Sequence, residues 1–276
     1  MRTFSHEGRT LAYTDYGDGS RIVVLLHGLL LSQRMHEPLA KALAARGNRV
    51  LTLDLLGHGS SERPLDPQCY SMTFFGEQAI ALLDHLEIDE AVILGTSLGA
   101  NTAIEAAALA PERLRGMVIE MPVLDHALIG CAIAFTPIMI TLTAGEPLAR
   151  AVSRLTRRIP RRRLPWQADI LLDWVRQDPE PSAAVFQGLF FDRIAPPREE
   201  RMGVETPALV IGHQYDLIHP FSDAGMLVAE LPNGRLLQAS SLLELRFAPR
   251  RLTDEIAGFV DECWRPRAAR TRAQAS

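Results

Sequence analysis

A serine between two glycines is the first group in this sequence whose residue types and spacing could do chemistry. Ser97 lies in the pattern Gly-x-Ser-x-Gly, from Gly95 to Gly99, after an apolar run and before an alanine-rich stretch typical of a helix. Glycines allow a tight corner, which predicts a strained Ser97 with an exposed hydroxyl. The first N–H groups of the following helix, beginning at Leu98, would point to a developing oxyanion. The corner therefore predicts a serine nucleophile; the alternative is a chance turn at a strand end.

Strand and helix signals alternate on both sides of this corner. Apolar runs predict strands over residues 22–26, 50–53, 91–94, 117–120, 208–211 and 235–239, preceded by a strand over residues 9–16. Helical spacing predicts helices over residues 35–46, 73–86, 100–110 and 249–260. Repeated strand–helix units of this kind favour an α/β fold with a mostly parallel, doubly wound sheet.

The composition is that of an ordinary globular protein with room for a substantial core. The 276 residues are 47% hydrophobic and 22% charged, and the net charge of −4 predicts no nucleic-acid partner. The three cysteines, Cys69, Cys131 and Cys263, are odd in number and lack metal-ligand spacing. The first residues contain no apolar signal core. These features predict a cytoplasmic protein with reduced thiols.

Motifs that directly follow three of the predicted strands share a family pattern. His27-Gly28 follows one strand, Asp54-x-x-Gly-His-Gly-x-Ser follows the next, and the Ser97 corner follows the third. Together with Gly212-His-Gln-Tyr-Asp-(x)3-Pro, they resemble the α/β-hydrolase fold superfamily over residues 3–263, except for a central insertion. The resemblance implies an α/β-hydrolase fold with an inserted helical cap. It does not specify a substrate, because many chemistries share this scaffold.

The resemblance implies roles for individual residues. Ser97 would be the nucleophile, and the backbone N–H groups of Leu29 and Leu98 would form the oxyanion hole. Asp216 would be the acid of a catalytic triad; otherwise it is a solvated carboxylate at a turn. His58 is interpreted as a loop-structuring residue. No metal and no organic cofactor is implied.

The departure from the family pattern is the missing histidine base. In this family the base follows the last strand, a position that falls on Ser241, and residues 220–276 contain no histidine. An acyl-transfer serine needs a base to take its proton and return it to the leaving group. Either another histidine substitutes, or an original histidine has been replaced by engineering, or the protein does not hydrolyse by the usual route. Just beyond this vacated base position, we expect Glu244 and Arg246 to form an ion pair or contact substrate.

Three histidines are candidates for a substitute base. His219 is favoured because it lies three residues after Asp216, on a loop that borders the site in this fold. The alternatives are His126, which follows Asp125, and His36, which follows the predicted oxyanion turn.

The insertion sets the predicted domain boundaries. These are an α/β core of residues 1–121 and 201–264, a helical cap of residues 122–200 and a disordered tail of residues 265–276. Residues 127–145 carry no charge, and their length also allows a membrane segment. A single span would separate the two halves of the sheet, so we predict no transmembrane segment but helices that line an apolar pocket. The aromatic residues expected in the cap core and pocket wall are Trp166, Trp174, Phe186, Phe190 and Phe191.

A dense basic patch follows the uncharged stretch. Its members are Arg150, Arg154, Arg157, Arg158, Arg161, Arg162 and Arg163. Such a run is usually a solvated face. Alternatively, the patch binds an acidic partner, which would be an acidic substrate, a carrier protein or an anionic surface.

Two functions of different classes are consistent with these features. The first is a serine hydrolase that cleaves an ester or related acyl bond of a small, partly apolar substrate through a Ser97 acyl-enzyme, with His219 as base. The second is a non-hydrolytic protein of the same fold, which uses the pocket for ligand binding or for lyase-like or isomerase-like chemistry. The intact serine corner favours the first, and the missing histidine favours the second.

Overall fold

The computed structural model describes residues 1–190 and 192–266, apart from the side chain of Arg162. The strands of its sheet are β1 (Arg2–His6), β2 (Arg9–Tyr16), β3 (Arg21–Leu26), β4 (Asn48–Asp54), β5 (Ala91–Thr96), β6 (Leu114–Glu120), β7 (Ala208–His213) and β8 (Gly234–Ala239). Their spatial order is β1-β2-β4-β3-β5-β6-β7-β8. Strand β2 pairs antiparallel with β1 and β4, and the remaining pairs are parallel. The predicted mostly parallel sheet is confirmed.

Helices connect the strands. They are α1 (Glu37–Ala44), α2 (Met72–His85), α3 (Leu98–Leu109), α4 (Leu128–Thr143), α5 (Glu146–Arg157), α6 (Trp166–Val175), α7 (Pro179–Phe190), α8 (Arg198–Met202), α9 (Phe221–Glu230), α10 (Glu244–Phe247) and α11 (Arg250–Cys263). Short 3₁₀ turns cover Gln33–His36, Pro67–Cys69, Pro111–Arg113, Asp125–Ala127 and Arg161–Arg163.

The sheet is covered on both faces because its central strands are apolar on both faces. In β3, Val23 and Leu25 pack in a cluster with apolar side chains of α1 and α11. Val24 and Leu26 point the other way, into a cluster with α2, α3 and α9. This alternation is what a doubly wound sheet requires, and the predicted fold class is confirmed.

Helices α4 to α8 lie between β6 and β7 in the chain, and we call the first four of them, α4 to α7, the cap. The two strands that flank the cap in sequence are neighbours in the sheet, where they pair in parallel. The chain therefore leaves the sheet after β6 and returns beside it. Of the predicted tail, residues 267–276 lie outside the described residues, as does Phe191.

Several predicted boundaries differ by one to three residues from those in the structure, and two of them have a clear physical reason. The helix predicted over residues 35–46 begins as the 3₁₀ turn at Gln33–His36 and continues as α1, where Pro38 occupies the first turn, a place that needs no N–H donor. Strand β6 begins three residues before the predicted start at residue 117, because Leu114 pairs with Ala91 of the neighbouring strand. Pairing with a neighbour extends a strand into residues whose own pattern is weak.

The corner after β5 is as tight as its glycines predict. Ser97 has φ +54° and ψ −112°, a region that side-chain-bearing residues rarely adopt. A Cβ atom at Gly95 would lie 1.9 Å from the carbonyl oxygen of Gly99, and one at Gly99 would lie 2.2 Å from that of Leu26. Both glycines are needed because the backbone passes too close to itself for any side chain.

We expect Gly95→Ala to destabilise the fold by about 3 kcal/mol or more, since the added methyl can fit only if the backbone of α3 moves. The matched control is Gly258→Ala in α11, where a Cβ atom meets nothing within 4 Å. That change should stabilise the protein by about 0.5–1 kcal/mol, as alanine does in exposed helix interiors. Urea unfolding followed by circular dichroism measures both. Equal stability of the two variants would contradict the steric account of the corner.

Candidate active site

Three side chains form a hydrogen-bonded chain at the carboxyl ends of β5 and β7. The Nε2 atom of His219 lies 2.9 Å from Oγ of Ser97, and its Nδ1 atom lies 2.8 Å from Oδ2 of Asp216. With Nδ1 protonated, the ring donates to the carboxylate and accepts the serine hydroxyl proton. The structure therefore brings together the predicted nucleophile, the predicted acid and the favoured substitute histidine.

The loop after β7 fixes the imidazole through the carboxylate beside it. The other oxygen of Asp216, Oδ1, accepts the backbone N–H groups of Ile218 at 2.9 Å and His219 at 3.0 Å. Burial alone would raise the pKa of the Asp216 carboxyl, but the hydrogen bonds from His219 and Ile218 hold that pKa below its ordinary value. The carboxylate therefore stays ionised at neutral pH, where it can stabilise a positively charged imidazolium.

The other histidines considered from the sequence make different contacts. His36 is buried, its Nε2 atom lies 3.0 Å from the carbonyl oxygen of Leu26, and burial lowers its pKa to about 3. The Nδ1 atom of His126 lies 2.9 Å from Asp223. His58 is buried, and its Nδ1 atom lies 3.0 Å from the carbonyl oxygen of the loop residue two positions earlier, as expected of a loop-structuring residue. Of the histidines named from the sequence, His219 contacts the serine.

The vacated base position holds no imidazole of its own, but a histidine approaches it from β7. Ser241 is exposed, and its carbonyl oxygen lies 2.9 Å from Nδ1 of His213. The other ring nitrogen of His213 lies 3.5 Å from the carboxylate of Glu120, at the end of β6. Burial alone would lower the pKa of His213, but the adjacent carboxylate raises it above its ordinary value.

Glu120 is the centre of a buried polar cluster that the sequence did not reveal. Its carboxylate accepts from Arg246 at 2.8 Å and from the hydroxyl of Thr96 at 2.5 Å. Burial alone would raise the pKa of Glu120, but the Arg246 guanidinium holds it well below its usual range. The main-chain oxygen of Glu120 also accepts the N–H of Ser97 at 2.9 Å. The cluster therefore lies directly against the strained corner.

One of the two alternatives expected for Glu244 and Arg246, an ion pair between them, is wrong. Glu244 and Arg246 do not pair with each other: Glu244 binds Arg251 at 2.8 Å, whereas Arg246 reaches back to Glu120. The helix α10 carries the two side chains in different directions, so proximity in sequence was misleading. An acidic residue at the end of the apolar strand β6 was the signal that could have identified the true partner.

The loop after β3 contains the other residue predicted for the oxyanion hole. Leu29 and Leu98 both line the same cavity as Ser97. The carbonyl oxygen of Leu29 accepts from the indole N–H of Trp174 at 3.3 Å, and that of Leu30 accepts from the side chain of Gln177 at 3.1 Å. The cap therefore holds this loop beside the serine.

The cavity beside Ser97 has a volume of about 390 Å³ and is lined by the core and the cap. Its described lining residues are Leu29, Met72, Ser97, Leu98, Asn101, Val123, Leu128, Cys131, Ala132, Phe135, Thr136, Met139, Phe186, Leu189, Phe190 and Ile194. None of these carries a formal charge, and burial raises the pKa of the Cys131 thiol to about 11, so it is neutral as well. The predicted apolar pocket under the uncharged cap segment is confirmed.

The aromatic residues expected in the cap core and pocket wall occupy different environments. Phe186 and Phe190 line the cavity, and Trp166 donates to the carbonyl oxygen of Arg34 at 3.0 Å. The expectation for Trp174 is wrong, because its side chain is 46% exposed although its N–H is bound. Within the described residues, no group of three or more histidine, cysteine or acidic side chains is arranged to hold a metal ion.

Sheet order, serine corner and cap together define the class of protein: the chain has the α/β-hydrolase fold, as the motifs predicted. A family model described as alpha/beta hydrolase fold matches residues 21–135. Among curated relatives, 2-hydroxymuconate semialdehyde hydrolase of Pseudomonas sp. (strain CF600) is 41% identical over 75 residues, which are 27% of this chain and 26% of that protein. This match covers much less than two thirds of the relative's length.

Solved structures resemble the chain over nearly its whole length. The enol-lactonase from Burkholderia xenovorans LB400 covers 94% of this chain and 100% of its own, with a TM-score of 0.77 and 24% identity. A meta-cleavage product hydrolase from Pseudomonas fluorescens IP01 covers 95% and 98%, with a TM-score of 0.74 and 21% identity. At these identities the likeness establishes the fold.

We expect Arg246→Met to destabilise the protein by about 3–5 kcal/mol, because it removes the guanidinium that pairs with the buried Glu120 carboxylate. Adding Glu120→Gln to that variant should restore much of the loss. Lys41→Met, which removes an exposed partner of Glu37 on α1, is the control and should cost at most about 0.5 kcal/mol. Urea unfolding at neutral pH measures the three variants. A loss below about 1 kcal/mol for Arg246→Met would contradict the pairing.

Proposed function

We propose that this protein is a serine hydrolase that cleaves an ester or related acyl bond of a small, apolar acyl compound through a Ser97 acyl-enzyme. The observation that carries the proposal is the 2.9 Å contact between His219 Nε2 and Ser97 Oγ, with Asp216 on the opposite ring nitrogen. This is the arrangement by which a weak hydroxyl nucleophile is activated. Hydrolases among the relatives support the general class of reaction.

In the first half of the reaction, Ser97 Oγ attacks the acyl carbon while its proton moves to Nε2 of His219. The C–O bond to the leaving group then breaks, and the imidazolium returns the proton to that group. In the second half, His219 takes a proton from water, the hydroxide attacks the acyl-enzyme, and Ser97 leaves with the proton. Asp216 stabilises the charged ring in both halves by accepting its Nδ1–H.

The negative charge that develops on the acyl oxygen requires donors beside Ser97. We assign this role to the backbone N–H groups of Leu98, the first residue of α3, and Leu29, on the loop after β3. Leu98 lies at a helix N-terminus, where N–H groups have no partner within the helix and the dipole favours negative charge.

The cavity wall argues for a neutral, apolar acyl group. An ionised group placed among these side chains would lose its hydration without gaining a charged partner. An alkyl or aryl chain would instead bury apolar surface against both core and cap. The proposed substrate is therefore an ester or related acyl compound whose acyl portion is uncharged.

The contact between His219 and Ser97 weighs against the non-hydrolytic alternative. That alternative was favoured by the absence of a histidine after β8, and His219 Nε2 lies 2.9 Å from Ser97 Oγ. We place the reaction in the cytoplasm, in keeping with the sequence prediction.

A fluorophosphonate probe tests the nucleophile and its base together. The parent protein should be labelled, Ser97→Ala should not, and His219→Ala should lower both labelling and ester turnover by about 10²–10⁴, the range of general-base assistance. His126→Ala is the matched histidine control and should retain parental turnover. If the parent is unlabelled over a wide pH range, or if His219→Ala turns over at the parental rate, the proposal fails.

Ser241→His probes the vacated base position. In the parent background it should leave turnover nearly unchanged, because Ser97 already has an imidazole partner. In the His219→Ala background it should restore activity only if the new ring reaches Ser97. A large gain in the parent background would mean that His219 is not the working base.

A series of p-nitrophenyl esters of increasing chain length tests the acyl pocket. Each added CH₂ that enters the cavity should raise kcat/KM by up to about fourfold, equivalent to about 0.8 kcal/mol, until the cavity is full. Ala132→Phe, which adds a ring to the cavity wall, should shift the optimum to shorter chains. A flat profile for the parent would contradict an apolar acyl pocket.

A further inference from the structure

Helix α5 of the cap exposes its large apolar side chains to solvent. Two of its polar side chains bind the interior of the cap: Ser153 Oγ donates to the carbonyl oxygen of Arg176 at 3.1 Å, and Arg157 donates to the same oxygen at 2.6 and 2.8 Å. Its apolar side chains face outward at helical spacing. They are Leu148, Val152, Leu155 and, just past its end, Ile159, and Leu155 is 64% exposed. An ordinary surface helix has the opposite arrangement.

Helix α6 shows the same inversion. Asp169 and Asp173 are almost completely buried, and Arg176 binds Asp169 at 2.7 Å in the interior of the cap. The outward side chains include Leu171, which is 72% exposed, and Trp174. Two neighbouring cap helices therefore bury polar side chains and expose large apolar ones.

Helix α4 extends this apolar surface to the mouth of the cavity. None of its residues, all of which the structure describes, is buried. One side contributes Phe135 and Met139 to the cavity wall, whereas Ile133 on the other side is 72% exposed. Leu128 and Phe190 line the cavity and are themselves exposed, so they mark its opening. The apolar surface and the route to Ser97 are therefore continuous.

Arginines border the apolar surface. Residues 127–177 contain eight arginines and three acidic residues, although the whole chain has a net charge of −4. The acids there are occupied: Glu146 binds Arg150, and the two buried aspartates bind arginines. Among the described residues, Arg154, Arg158 and Arg163 are exposed and have no acidic partner. The border of the apolar surface is therefore positively charged and open to an anion.

We infer that this cap face, formed by the exposed apolar side chains of α4, α5 and α6 and the bordering arginines, docks on an anionic phospholipid surface. Helices that lie in a bilayer interface combine an outward apolar stripe with flanking basic residues. The inner leaflet of a cell membrane is anionic, which matches the charge of the border. Docking would bring the cavity mouth to the place where apolar acyl compounds accumulate.

Two other ways to cover this face fit less well. A second copy of the chain would place positive borders against each other, since the acids of the same region are already paired. A helical stretch from Asp125 to Thr143 is long and apolar enough to cross a membrane. A single crossing would put β6 and β7 on opposite sides of the bilayer, yet these strands pair directly. The charge pattern and the sheet therefore favour peripheral docking.

Vesicle flotation with the full-length protein tests the inference. The parent should float with vesicles of phosphatidylcholine mixed with phosphatidylglycerol, much less with phosphatidylcholine alone, and less at high salt because exposed charges are screened. Arg154→Gln and Arg158→Gln should each weaken binding about fivefold. Arg250→Gln, an exposed arginine at the start of α11 and outside the cap, is the matched charge control and should bind as the parent does. Leu155→Gln should abolish flotation.

Hydrolysis of a soluble ester separates this inference from the proposed function. Leu155→Gln and Arg154→Gln should keep parental turnover of a short, soluble ester, because neither residue lines the cavity. Absence of flotation in an active parent would overturn the docking inference and leave the hydrolase proposal intact. Equal flotation with neutral and anionic vesicles, or self-association of the parent that Leu155→Gln abolishes, would overturn it as well.

Discussion

The rest of the site depends on the hydrogen bonds of the Asp216 carboxylate, because they hold both the backbone and the imidazole ring of His219. One carboxylate oxygen accepts hydrogen bonds from the backbone N–H groups of Ile218 and His219, and the other accepts a hydrogen bond from Nδ1 of the His219 ring. The four-residue turn from Asp216 to His219 therefore fixes the position of the base relative to the acid. Only the distance from this turn to Ser97 is left to tertiary structure, and the pairing of β6 with both β5 and β7 determines it.

The buried cluster around Glu120 adds a second constraint from the opposite side. Its main-chain oxygen fixes the N–H of Ser97, while its side chain binds Arg246 and Thr96. A buried ion pair contributes little net stability, since both charges lose their hydration. Removing one partner is nevertheless strongly destabilising, because the other charge stays buried without a partner. We therefore infer that the cluster holds the carboxyl end of β6 in a single position. The strained serine corner needs such support, because its backbone conformation is unfavourable by itself.

The sequence predicted the parts of this molecule that depend on local patterns. The apolar strands, the Gly95–Gly99 corner and the loop with Asp216 and His219 are short segments whose residue types constrain the backbone. It did not predict the partner of Arg246, because Glu120 lies 126 positions away and only the sheet brings the two together. Nor did it predict that Trp174 would be exposed, since helical spacing shows which residues share a face but not which face is inside.

The inverted polarity of the cap links these observations. Polar contacts join cap to core: Ser32 donates to Asp173 at 2.7 Å, Arg34 binds Asp169 at 2.9 Å, and Gln177 holds the loop after β3. Buried polar groups of this kind stabilise weakly, so the cap gains little from its interior while its apolar side remains in water. Covering that side would stabilise the docked cap, and the docked cap holds the loop of Leu29 through Trp174. The contact that anchors the protein would thus also support the loop that faces the developing oxyanion.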